Sequence, residues 1–104
     1  MVRHIVMWTI RETGSPRGKL EAMAELKSRL LGLKEEIRVI KDLTVHFNSI
    51  SAPQDNFEVI LESEFASWAD LETYQKHPSH MAVAEYVKNI RQSRAAIDYE
   101  FNEA

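Results

Sequence analysis

There is no cysteine among the 104 residues. Disulfides, thiolate nucleophiles and cysteine-ligated zinc are therefore excluded, although the absence fits any redox compartment. Glycine and proline are scarce, with three of each. No glycine-rich, phosphate-cradling loop can be found, and no Ser-His-Asp order either. Positive charge is not in excess: 13 Lys and Arg against 16 Asp and Glu leave a net charge of −3. Without a basic block, nucleic acid and anionic membrane surfaces are poor partners. The apolar run Ile5 to Ile10 is interrupted by Thr9 and followed by Arg11 and Glu12. It is too short for a membrane span or a signal-peptide core, and a cytoplasmic location is the default expectation.

What remains is an ordinary globular composition, 44% apolar and 28% charged. The length predicts one domain over residues 1–104. Its core is modest, so a second copy of the chain would help to stabilise it.

Val2 to Ile10 is rich in β-branched and aromatic residues and predicts a strand. Ile5 and Met7 lie on one face, and His4, Val6, Trp8 and Ile10 on the other. A strand apolar on both faces should be covered on both. Ser15-Pro16 predicts a helix start, and Gly32 a stop, giving a helix from Pro16 to about Leu31. Its expected stripe is Leu20, Met23, Ala24, Lys27, Leu30 and Leu31. Lys34 to Glu36 is expected as a short connection.

Ile37 to Asn48 alternates and predicts a second strand, with Ile37, Val39, Leu43, Val45 and Phe47 on one face. Ile40 and His46 fall on the other, more polar face, where His46 is expected to be exposed. Ser49 to Asn56 is a turn, and Phe57 to Phe65 a third strand. Ser67-Trp-Ala-Asp70 opens a second helix, with Trp68, Leu71 and Tyr74 or Gln75 on one side. That helix is broken before Pro78, because the residue preceding a proline avoids the helical region. After the break, Met81, Ala84, Val87 or Lys88, and Ile90 or Arg91 form the expected stripe. Ala95, Ile97, Tyr99 and Phe101 alternate and close the chain as a fourth strand.

The order β-α-β-β-α-β defines an α+β ferredoxin-like arrangement, a four-stranded antiparallel sheet with helices on one face. One apolar sheet face is left over, and a homodimer joined through the sheet faces would cover it.

This order, with His4-Ile-Val, His77-Pro-Ser-His80 after a Tyr74-bearing helix, and Asp98-Tyr99, resembles the stress-responsive dimeric α/β-barrel (Dabb) domain. The resemblance covers nearly the whole chain. It implies a homodimer whose sheets form a joint barrel, with a small cavity between sheet and helices in each subunit. The understood activity in that family is a plant polyketide cyclase, which closes a linear poly-β-ketide by aldol condensation. Its tyrosine and second motif histidine map onto Tyr74 and His80, and a pocket histidine maps onto His4. A further pocket histidine on the third strand has no counterpart, since the chain is aliphatic near Val59.

Tyr74 and His80 are thus the candidate catalytic pair, and His4, Val6, Trp8 and Val59 the candidate ligand contacts. Pro78 sits at the first turn of a helix, which places His80 near the positive end of the helix dipole. A neutral imidazole there can take a proton next to a carbonyl while a phenol stabilises the oxyanion. Each has a structural alternative: a helix-start histidine can be a cap, a helical tyrosine core, and His4 a buried, satisfied histidine.

No metal site is expected. Pro78 spoils the spacing of His77 and His80, and Glu58, Glu62 and Glu64 suit a solvated strand face. Magnesium at the subunit junction, reported for some relatives, stays open. Three functions compete: a cofactor-free acid–base enzyme, cyclase- or isomerase-like, on a small carbonyl compound; a non-catalytic stress-response or ligand-binding dimer; and an antibiotic-biosynthesis-type monooxygenase using Trp68.

Overall fold

The computed structural model describes residues 1–102. In chain order the elements are β1 (Val2–Ile10), α1 (Pro16–Glu36), β2 (Ile40–Phe47), β3 (Val59–Phe65), α2 (Trp68–Lys76), α3 (Pro78–Ile90) and β4 (Arg91–Glu100). The strands form one antiparallel sheet in the order β2-β3-β1-β4. This is the expected ferredoxin-like topology.

The pleat of β1 assigns its two apolar faces. Val2, His4, Val6, Trp8 and Ile10 are buried, while the intervening residues are half-buried. The buried side packs with Met23, Leu26, Leu30 and Leu33 of α1. Leu26 is fully buried, and burial of a leucine contributes about 1.5–3 kcal/mol. The opposite face carries Ile5, Met7, Ile60, Ala95 and Ile97, aligned by strand register. No helix covers it, and Ile97 is 60% exposed.

Both helix starts follow their caps: Ser15 Oγ accepts from the Gly18 amide and Ser67 Oγ from the Asp70 amide. The expected stop at Gly32 is not observed, because α1 continues to Glu36. The extension buries Leu33, a gain of about 1.5–3 kcal/mol that exceeds the ~1 kcal/mol cost of a helical glycine. The buried stripe is accordingly Met23, Leu26, Leu30 and Leu33, and Leu20 and Leu31 are exposed.

The second strand begins at Ile40 rather than Ile37, and its register shifts between Ile40 and Asp42. The bulge rotates Ile40 onto the buried side with Leu43 and Val45. On α3 the buried residues are Val83 and Val87, and Met81 is exposed.

His77 separates α2 from α3 in an extended conformation, with φ −65° and ψ 136°. Its side chain caps α3: Nδ1 accepts from the Ser79 amide at 3.0 Å.

Candidate functional site

Between the sheet and α3 lies a cavity of about 200 Å³. Its inner wall is built by β1, whose alternation delivers His4, Val6 and Trp8 to the helix side. Tyr74 reaches it from the last full turn of α2, and His80 from the first turn of α3. The break at His77 and Pro78 brings these two side chains into contact. Their ring centroids are 4.5 Å apart, inclined by 58°. On its other sides Tyr74 meets Phe65 at 5.0 Å and the edge of His4 at 6.2 Å.

Hydrogen bonds define the protonation pattern of the histidines. His80 Nδ1 lies 3.0 Å from the Gln75 carbonyl oxygen. A carbonyl only accepts, so Nδ1 carries the proton and Nε2 keeps its lone pair. His77 does the reverse, because its Nδ1 accepts from an N–H. The two motif histidines therefore have opposite tautomers and separate tasks, His77 capping and His80 presenting a basic nitrogen. His4 Nδ1 is bonded to the Asp98 carboxylate, which fixes its ring and directs Nε2 away from that carboxylate. Asp98 lies directly across the ladder from His4.

Burial holds His80 below its ordinary pKa; the Gln75 bond opposes this, and the charges of His4, Arg94 and His77 lower it further. Burial alone pushes the Tyr74 phenol far above its ordinary value, so it stays protonated. Tyr74 is fully buried and Trp8 is 5% exposed, yet Tyr74 Oη and Trp8 Nε1 have no hydrogen-bond partner in the protein. Buried polar groups are normally satisfied. Both unsatisfied donors belong to residues that line the cavity.

Of the six residues expected at the site, the structure brings five together. The exception is Val59, which is buried in the core, paired with Trp8; Leu61, two residues on, lines the cavity instead. Trp68 lies elsewhere too: it is half-exposed and donates to Glu100. Among the described residues no group of three or more His, Asp or Glu is placed to hold a metal ion.

Sequence reasoning missed the roles of Asp98, the Gln75 carbonyl and the cations Lys88, Arg91 and Arg94, all three of which line the cavity. The last strand was misleading because its apolar residues face the open side of the sheet. Arg94, Ala96 and Asp98 pair with Trp8, Val6 and His4 and so share the helix side. Only register reveals that.

Comparison with known proteins agrees with this architecture. Residues 2–101 match the family model of the stress responsive A/B barrel domain. A stress-response A/B barrel domain-containing protein of Arabidopsis thaliana is 25% identical over 99 residues, covering 95% of this chain and 46% of that protein. The chain thus spans about half the length of the curated relative it matches. A crystal structure from Bacteroides fragilis, described as a dimeric protein of ferredoxin-like fold, is 33% identical with a TM-score of 0.86. That match covers 96% of this chain and 95% of the other. A hydroxynitrile lyase from Passiflora edulis shares the fold at 20% identity and a TM-score of 0.81, covering 99% of this chain and 94% of the lyase. With the family model matched from the first strand to just past the last, the chain belongs to the stress-responsive A/B barrel domain family.

Proposed function

We propose that this protein is a cofactor-free acid–base catalyst acting on a small carbonyl compound. The observation that carries the reading is the pairing of a proton-bearing, unpartnered Tyr74 Oη with a His80 whose tautomer leaves Nε2 basic. In the step proposed, Nε2 takes a proton from the carbon next to the carbonyl. The C–H electron pair becomes the C=C bond of an enolate, and the carbonyl π pair moves onto oxygen. The Tyr74 O–H donates to that oxygen as its charge grows. Return of the proton to the same or a neighbouring carbon gives exchange or isomerisation; attack of the enolate on a second carbonyl gives aldol closure.

His80 titrates below the ordinary imidazole value and is therefore neutral at pH 7, as a base must be. A cavity of about 200 Å³ suits a compact ligand, somewhat larger than the benzene held by an engineered cavity of roughly 150 Å³. The Passiflora lyase, named for chemistry on hydroxynitriles, is a fold neighbour in keeping with small substrates.

The working unit is a homodimer closed through the open sheet face. Support comes from the exposed apolar row Ile5, Met7, Ile60, Ala95 and Ile97, which a monomer would leave in water. The Bacteroides neighbour described as dimeric agrees with this.

The test is deuterium exchange next to the carbonyl in a panel of small ketones and oxo acids, followed by NMR. Replacing His80 by Ala should lower the exchange rate about 10²–10⁴-fold while leaving the fold intact. An unchanged rate in that variant, or no exchange with the native protein across the panel, refutes the catalytic reading in favour of a ligand-binding dimer.

A further inference from the structure

The charge on the cavity wall does not follow the charge of the chain. The protein carries more acidic than basic residues, 16 against 13. Among the residues lining the cavity there are three cations, Lys88, Arg91 and Arg94, and no carboxylate. Among the described residues neither the Arg91 nor the Arg94 side chain makes an ion pair, and Lys88 approaches only Glu85, at 4.0 Å. Asp98, the nearest carboxylate on the same face of β4, is occupied by His4 Nδ1.

The position of the cations is equally specific. Arg94 stands across the ladder from Trp8, whose Nε1 is one of the two unpartnered buried donors. Arg91 begins β4 as α3 ends, and Lys88 lies in the last turn of α3. The cavity therefore has two chemically distinct regions. Its buried end offers a neutral donor, Tyr74, suited to a carbonyl oxygen. Where α3 meets β4 it offers guanidinium and ammonium groups, suited to a carboxylate, which accepts charge-assisted and bidentate hydrogen bonds.

We propose that the ligand of this cavity is a small oxo acid, its carbonyl oxygen directed to Tyr74 and its carboxylate held by Arg94, with Arg91 and Lys88 beside it. This rests on the acid–base reading for the fate of the carbonyl, but the carboxylate site can be tested without turnover. Arg94 also supports the base: its charge is one of the causes that keep His80 unprotonated.

The experiment is calorimetric binding of phenylpyruvate and of 1-phenylpropan-2-one, in which a methyl group replaces the carboxylate. The native protein, the Arg94→Met and Arg91→Met variants and the double variant are compared. Both arginines lie on the edge strand outside the hydrophobic core, so the variants should fold. The acid should bind about tenfold more tightly than the ketone, and added salt should weaken the acid alone. The Arg94→Met variant should bring the two affinities within about twofold. Equal binding by the native protein, no binding of the acid at millimolar concentration, or a preference that survives loss of both arginines overturns the proposal.

The same titration in the His80→Ala variant separates the two readings. Acid preference there, together with undiminished proton exchange, would sink the catalytic role and leave the carboxylate site standing. Lost exchange with no acid preference would do the opposite.

Discussion

Replacing Tyr74 by Phe should move stability and activity in opposite directions. The Tyr74 side chain is fully buried, and its hydroxyl has no partner in the protein. A buried hydroxyl left unmade costs about 1–3 kcal/mol. Phenylalanine keeps the ring contacts to Phe65 and His80 and removes that cost. Taking the low end, because the hydroxyl belongs to a cavity-lining residue, the variant should gain about 1 kcal/mol. For a domain of this size that corresponds to a rise in Tm of roughly 4–8 °C. Catalysis should suffer, since deleting one donor to a developing oxyanion costs ~10²–10³ in rate, about 2.7–4 kcal/mol.

The assays are thermal unfolding at matched chain concentration, because a dimer's Tm depends on concentration, and exchange of carbon-bound hydrogen in deuterated buffer. A purely structural tyrosine without a partner predicts the same gain in stability but no change in exchange. That result would refute the reasoning.

Two other outcomes follow. The exchange rate should rise with pH through a single acid limb below about 6.5, the ordinary histidine value, because only neutral His80 accepts a proton. It should then stay level into alkaline solution, where Tyr74 remains protonated. An acid limb above 6.5, or a falling limb near neutrality, would contradict this assignment. Replacing Ile97, 60% exposed on the open sheet face, by Lys should convert the dimer to a folded monomer in sedimentation. A dimer of native affinity would place the interface elsewhere.

Much of the site was legible because local rules built it. The residue before Pro78 leaves the helical region whatever surrounds it, so the helix break could be read directly. Alternation on β1 put His4, Val6 and Trp8 on one face with no knowledge of the sheet. Where local rules competed with burial, burial prevailed. Gly32 did not end α1 because Leu33 and Ile37 had a core to enter. Val59 was placed in the pocket by analogy of position, and the sheet register gave that place to Leu61.

The sequence by itself determined the element order and the ferredoxin-like fold class, because these follow from chain-local periodicity and backbone restriction, while the tyrosine–histidine pair stood out through its resemblance to the family motif. Only the tertiary structure decided which apolar face of β1 is the interior. It alone also showed that His77 caps while His80 presents Nε2. It placed the polar residues of β4 on the helix side of the sheet, so that Asp98 meets His4 and Arg94 stands across the ladder from Trp8. The two β4 pairings are matters of register between segments some ninety residues apart, and no local pattern encodes such a register.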